Sequence, residues 1–278
     1  MGVQERFIQA KKQKKKWAML TAYDAPTAEL LERAGIDLIL VGDSLGMVML
    51  GYPSTALVTM DEMIHHAKAV RRGAPKSFII GDLPLKGVEK GAQQTLVSAR
   101  RFMEEAGLDA VKLEWSKDAL KSADLLIKNR IPVMGHVGLT PQTVKKQNGF
   151  RVQGQDAESA LDIFKAAKAF EEKKAFSVLL ECVPAPVGTA ITESLKVPTI
   201  GIGAGAHCDG QVLVFHDLVG IFRKFTPRFI KRYANLDKEM QKAAEKYKKE
   251  VLGGRFPGKE HSFLMKTKEK ELFLKGIR

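Results

Sequence analysis

Residues 77–82 read SFIIGD, a short β-rich run that is apolar at consecutive positions and ends in a single acid. A strand that is apolar on both faces must be covered on both faces, the condition of a strand in a parallel sheet flanked by helices. The stretches DLILVG at 37–42 and FSVLLEC at 176–182 are built the same way. Outward from these, short apolar runs alternate with longer amphipathic ones, the pattern of parallel strands joined by helices. The runs predict strands over Ala18 to Ala22, Leu38 to Gly42, Ser77 to Gly81, Ala110 to Glu114, Pro132 to Gly135, Ser177 to Glu181, Thr199 to Gly203 and Val212 to Phe215. Helical spacing predicts Ala25 to Ala34, Met60 to Arg72, Gln93 to Ala106, Lys117 to Lys128 and Ala157 to Glu172. Gly35, Gly107 and the turn at Lys173 and Lys174 supply helix stops. The expectation is an α/β fold: one (β/α)8 TIM barrel domain over residues 1–278, with a C-terminal helical extension from about residue 235.

Composition narrows the function classes. The chain has 278 residues, 45% hydrophobic and 28% charged, in keeping with a globular protein. No apolar run reaches the roughly 20 residues of a membrane span, and the charged start lacks the apolar core of a secretory signal. A cytoplasmic location with no membrane partner is expected. Cys182 and Cys208 have no metal-type spacing and read as free thiols. The net charge of +13 raises nucleic acid as a partner. Its excess, however, collects at Lys11, Lys12 and Lys14 to Lys16 and in the mixed-sign segment from Lys238 to Lys249, which read as solvated surface; no nucleic-acid partner is expected.

Polar residues interrupt the apolar strands at one end only. Asp43 and Ser44 follow the second strand and Asp82 the third; Lys112 and Glu114 close the fourth, His136 the fifth and Glu181 the sixth. A barrel gathers the C-terminal ends of its strands at one mouth, where residues distant in sequence become neighbours. Buried carboxylates crowded together repel one another, and a bound cation resolves the repulsion. An all-oxygen donor set suits a hard divalent ion such as magnesium, and no Cys/His cluster favours zinc.

Each residue has a plainer reading. Asp43 and Ser44 can cap a helix, Asp82 can shape a turn, and Lys112 with Glu114 can form an internal ion pair. His136 can be a packed rim histidine, and Glu181 a buried acid or the partner of an arginine. The glycines of GIGAG at 201–205 can cradle an anion or simply turn the chain. His65 and His66 read as surface residues.

Taken together, MLTAYDAP, VGDSLGMVMLGYPSTALVTMDEM, HHAKAVRRGAP, GDLPL, VKLE, GHVGLTPQ, LLECVP, IGIGAG, DGQVLVFHD and FPGKEHSF resemble the ketopantoate hydroxymethyltransferase family over nearly the whole chain. The resemblance implies transfer of a hydroxymethyl group from 5,10-methylenetetrahydrofolate to 3-methyl-2-oxobutanoate, giving 2-dehydropantoate on the way to pantothenate, through a metal-stabilised enolate. It implies Mg2+ held by Asp43 and Asp82 with Glu114 beside it or reaching it through water. Ser44 and Lys112 would contact the substrate, Glu181 would be the general base, and His136 is shared with the family. It also implies a homodecamer, a pentamer of dimers. The chain departs from the family pattern at Trp115, at Ala206 to Cys208 and in KKQNGF, changes expected to touch loops at the mouth.

Two other functions compete. An enzyme of the isocitrate lyase and phosphoenolpyruvate mutase type would act on a metal-bound 2-oxo acid, but neither cysteine has the context of that group's catalytic cysteine. A nucleic-acid-binding role would leave the strand-end acids without a purpose.

Overall fold

Eight parallel strands close into a barrel in chain order, with β8 bonded back to β1, in a computed structural model that describes residues 2–142, 151–223 and 227–277. The elements run α1 (Val3–Lys12), β1 (Trp17–Thr21), α2 (Ala25–Arg33), β2 (Leu38–Val41), α3 (Leu45–Val48), α4 (Met60–Gly73), β3 (Phe78–Asp82), α5 (Leu85–Val88), α6 (Ala92–Ala106) and β4 (Ala110–Glu114). They continue through α7 (Ala119–Lys128), β5 (Val133–Gly138), α8 (Ala157–Glu172), β6 (Ser177–Glu181), α9 (Ala185–Ser194), β7 (Thr199–Ile202), β8 (Gly210–Leu213), α10 (Phe215–Leu218), α11 (Leu236–Leu252) and α12 (Thr267–Gly276). The (β/α)8 expectation therefore holds.

Local chemistry fixes the helix ends. Asp24 accepts from the Thr27 amide at the start of α2 and Asp156 from the Ser159 amide at the start of α8. Thr59 and Glu62 cap α4 reciprocally, as side chains at these positions do for the unpaired first amides of a helix. At the other end, Gly107 takes the left-handed conformation (φ 64°) that lets α6 stop and turn into β4.

Side-chain alternation along the strands sorts the core into two layers. Inward-facing Met19, Leu38, Leu40, Ile80, Ala110, Met134, Leu179, Ile200 and Val212 fill the barrel, while Ile39, Val41, Ile79, Val111, Leu113 and Leu180 pack outward under the helices. The inward register continues past the apolar layer. Ile80 is followed two residues later by Asp82, Ala110 by Lys112 and then Glu114, Met134 by His136, and Leu179 by Glu181. The interior is thus apolar at its middle and polar at its C-terminal rim for a single reason, the period of two.

Several element boundaries differ from the sequence reading, most by one or two residues, and those of β3, β5 and β8 bear on the site. Asp82 lies inside β3, paired with Lys112, and β5 runs on to Gly138 so that His136 lies opposite Glu114. β8 ends early because the Phe215 amide bonds to Thr21 Oγ1 and starts α10.

Helix α1 was not foreseen. Its Val3, Phe7 and Ala10 share a face that enters the barrel core, and the Phe7 ring packs on Trp17, Phe78 and Phe176 with centroids 4.8–5.8 Å apart. The N-terminal end of the barrel is thereby stoppered with aromatic rings. The lysines around α1 are correspondingly not all plain solvated surface. Lys11 pairs with Asp209 at 3.0 Å and donates to the Thr192 and Val197 carbonyls. Lys15 pairs with Asp37, and Lys16 donates to the Cys208 carbonyl. At the far end of the chain, α11 and α12 bury none of their residues, and Phe263, Leu264, Leu272, Phe273 and Ile277 are exposed.

Candidate active site

The polar rim converges as the strand alternation requires. Lys112 Nζ lies 2.7 Å from Asp82 Oδ1 and 3.2 Å from His136 Nδ1. The other Asp82 oxygen accepts the Asp43 amide at 3.2 Å, which holds the β2 and β3 ends together. His136 Nδ1 is 3.6 Å from Glu114 Oε2, and its Nε2 is 3.1 Å from Glu181 Oε2. Asp43, Asp82, Lys112, Glu114 and His136 are all buried. Ser44 opens the short α3 without capping it; its hydroxyl instead bonds the Tyr23 hydroxyl at 2.7 Å.

Burial among like charges sets the protonation balance. Desolvation, aided by the Asp43 carboxylate, outweighs the Lys112 ammonium and lifts Asp82 to about 7. Glu114 is also held well above its ordinary value, chiefly by burial. Burial pulls Lys112 down, but the Asp82, Asp43 and Glu114 carboxylates together raise it, so it stays charged. His136 is pushed down by burial and by Lys112. A neutral imidazole that accepts a hydrogen bond from the Lys112 ammonium at Nδ1 carries its own proton on Nε2, facing Glu181.

These side chains line one cavity of about 440 Å³ at the barrel mouth. Within it, Asp82 Oδ1, Glu114 Oε1 and His136 Nε2 are buried without a well-aligned hydrogen-bond partner, despite the close Lys112 and Glu181 contacts. Buried polar atoms are nearly always paired in a folded protein, and Glu114 Oε1, which has neither a hydrogen bond nor an ion pair among the described residues, marks a place prepared for a polar ligand. The donor set of carboxylate oxygens fits a hard divalent cation. Among the described residues no group of three or more His, Cys, Asp or Glu is yet drawn together as a metal cage, and Lys112 stands among the acids as their counter-charge.

Several participants have no strand-end signal of their own. Gln142 is buried and donates from Nε2 to Asp43 Oδ2 and to the Leu83 carbonyl, both at 2.9 Å, orienting the Asp43 carboxylate. It is the last residue of GHVGLTPQ, a motif whose length pointed to it only as part of a block. Tyr23, fully buried, braces Ser44. Thr55 and Asp217 also line the cavity.

Other sequence expectations are corrected. Trp115 does not face the mouth cavity; it packs edge-on against Phe170 at 5.6 Å, under the outer helices. Cys208 lies at the opposite end of the barrel, buried against Gly201 and beside Lys16, because the chain has by then returned to the start of β8. KKQNGF lies outside the described residues. His66 is half-buried and bonds the Tyr23 carbonyl through Nδ1 at 2.6 Å, so it is not a free surface residue as expected; His65 is exposed. In GIGAG, Gly203 adopts φ 65°, and a Cβ there would meet the Phe229 ring at 2.8 Å: the turn seats an aromatic side chain. Both cysteines are free, and burial raises the Cys182 thiol to about 12.

Comparison with known proteins gives consistent relatives. A family model described as ketopantoate hydroxymethyltransferase matches residues 3–259. A protein of Halalkalibacterium halodurans named 3-methyl-2-oxobutanoate hydroxymethyltransferase is 51% identical over 94% of this chain and 93% of its own length. One of Thermus thermophilus with the same name is 52% identical over 88% and 93%. Among solved structures, 2,3-dimethylmalate lyase of the PEP mutase/isocitrate lyase superfamily shares the fold at TM-score 0.61 and 13% identity, over 94% of this chain and 92% of that one. Phosphonopyruvate hydrolase in complex with oxalate and Mg2+ does so at TM-score 0.59 and 15% identity, over 100% and 96%.

Proposed function

The chain belongs to the ketopantoate hydroxymethyltransferase family, and on that premise we propose that Asp43, Ser44, Asp82, Lys112, Glu114, His136 and Glu181 form the site at which 3-methyl-2-oxobutanoate receives a hydroxymethyl group. The activity is that of a 3-methyl-2-oxobutanoate hydroxymethyltransferase, a transferase. The one-carbon donor is 5,10-methylenetetrahydrofolate. Mg2+ would be held by Asp43 and Asp82 with Glu114 beside them or reaching it through water, and when bound would act as a Lewis acid on the keto and carboxylate oxygens of the substrate. The oxalate and Mg2+ carried by phosphonopyruvate hydrolase are a chemically similar pair in a barrel of the same fold.

The observation that carries this reading is the line from Lys112 through His136 to Glu181 across three successive strands. Glu181, at the rim of the cavity, is the base that takes the proton from the carbon beside the keto group. Neutral His136 turns its Nε2–H toward the Glu181 carboxylate, 3.1 Å away, and is itself fixed by Lys112. The Lys112 ammonium, with Ser44, receives the substrate oxygens and places fixed positive charge where negative charge develops, the use of charge that lowers a barrier most. Lysine and base thus stand on opposite sides of one imidazole, so they do not neutralise each other by direct contact.

The test is solvent deuterium exchange into 3-methyl-2-oxobutanoate with Mg2+, alongside formation of 2-dehydropantoate when the folate is added. Wild type should exchange and turn over, and Glu181→Gln should lose both by roughly 100-fold or more, the usual worth of a general base. Exchange that survives in Glu181→Gln would sink the assignment. The alternative, an enzyme of the isocitrate lyase and PEP mutase type, shares the fold, but Cys182, the cysteine that lines this cavity, has a thiol held near 12 and almost no thiolate at neutral pH.

We further propose a homodecamer built as a pentamer of dimers, in which the exposed apolar side chains of α12 and its approach are covered by other copies. A cytoplasmic location fits the finding that no described helix is long and apolar enough to cross a membrane.

A further inference from the structure

The mouth cavity is larger than a small branched oxo acid needs. At about 440 Å³ it falls within the roughly 300–1,000 Å³ of pockets that house ligands of drug size. Its acidic half is spoken for by the residues above. One stretch of the remaining wall comes from the chain after β8 and includes Asp217 on α10, Phe222, Arg228 and Phe229. Asp217 is half-buried, and among the described residues its carboxylate has no hydrogen-bond partner; Arg232 reaches it only as a nearby charge. Burial lifts it to about 6, so at neutral pH it stands mostly ionised in a place that disfavours an unpaired charge. Phe229 is seated here by the left-handed Gly203, which no residue with a Cβ could replace without moving that ring.

We propose that Asp217 is the recognition residue for the pterin head of the one-carbon donor, an assignment that rests on the folate reading above. A reduced pterin presents a 2-amino group and an N3–H side by side on one edge. Two parallel N–H donors are what the two oxygens of a carboxylate accept as a fork, the stronger class of hydrogen bond. The rings of Phe222 and Phe229 supply flat apolar surface for the bicycle, and exposed Arg228 lies where an anionic tail leaves toward solvent. Among the described residues nothing else on this wall offers a carboxylate. The donor is thereby presented to the oxo acid from the β8 side, across the cavity from Lys112 and Glu181.

Isothermal titration of the full chain with Mg2+ under anaerobic conditions tests this. Tetrahydrofolate should bind Asp217→Asn roughly tenfold or more weakly than wild type, while affinity for 3-methyl-2-oxobutanoate changes by less than about twofold. A tetrahydrofolate analogue with methyl in place of the 2-amino group should bind wild type more weakly by a similar factor and lose nothing further on the Asn substitution. The analogue measured on wild type alone covers the case of a variant that does not fold. Equal binding of tetrahydrofolate to wild type and variant, or equal binding of tetrahydrofolate and analogue to wild type, overturns this assignment alone. Wild type that binds the oxo acid but not tetrahydrofolate overturns the donor reading and this assignment with it.

Discussion

His136 and Glu181 face each other from neighbouring strands, with Nε2 3.1 Å from Oε2, and the other face of the same imidazole meets Lys112. The ring is a buried spacer between the positive and the negative ends of the site. Its removal should release Glu181 without removing the base itself. His136→Ala is therefore expected to lower kcat by roughly 10- to 100-fold with little change in KM for the oxo acid. His136→Gln, which keeps an N–H donor toward Glu181, should recover part of that loss. Steady-state kinetics with the exchange rate as a second readout decide it; a purely structural histidine would give two equally impaired variants.

Asp82 gives a pH dependence with a definite sign. A carboxyl raised from 3.8 to about 7 by folding binds its proton more tightly in the native state, so it favours the fold at low pH. That advantage is lost as pH rises through about 7. Other carboxylates, such as Glu62 and Glu105, are lowered and act oppositely, so the clean quantity is the difference between wild type and Asp82→Asn. Without metal, wild type should lose Tm relative to the variant between about pH 4 and pH 7 and stay level above. Mg2+ binds the ionised form, so its affinity should climb over the same window and then flatten. Calorimetry across pH reads both; a wild-type advantage that grows with pH in the metal-free protein contradicts the burial argument.

Cys182 lines the cavity next to Glu181 with a backbone φ of 49°, a position that invites a nucleophilic role. Its burial and raised pKa argue against one. Cys182→Ala should retain catalysis within about threefold, whereas a lyase-type nucleophile would lose several orders of magnitude on the same change. The product assay separates the two.

Phe7 makes a prediction about stability without activity. Its truncation to Ala removes the ring shared by Trp17, Phe78 and Phe176 and should cost about 3–5 kcal/mol of unfolding free energy. The rate per folded molecule should stay near wild type, because the polar rim lies at the other end of the barrel. Denaturant melts and kcat at low temperature test the two halves.

Much of this was legible because a buried parallel strand announces itself twice, as an apolar run and as the polar residue that ends it. SFIIGD and SVLLE each carried both signals, and in VKLE the spacing of two put Lys112 and Glu114 on one face, which the barrel turns inward with Asp82 and Glu181. Elements with mixed signals were harder. Helix α1 hides one core residue, Phe7, in a charged segment that ends in lysines, and α9 (APVGTAITES) has too little amphipathic contrast to stand out. Gln142 and Asp217 reach the site from loops and a single helical turn, where no periodicity aims a side chain. Trp115 and Cys208 looked close to the site only because they neighbour its motifs along the chain; the barrel turns one outward and carries the other to its far end.

The apolar layer that fills the barrel, backed by the aromatic rings around α1, makes the interior a blind alley. Reactants and product must share one doorway, so the partner that lodges innermost, against the acids, has to enter first and depart last. Ordered traffic of this kind is inherited from packed apolar side chains beneath the site rather than from any group that does chemistry.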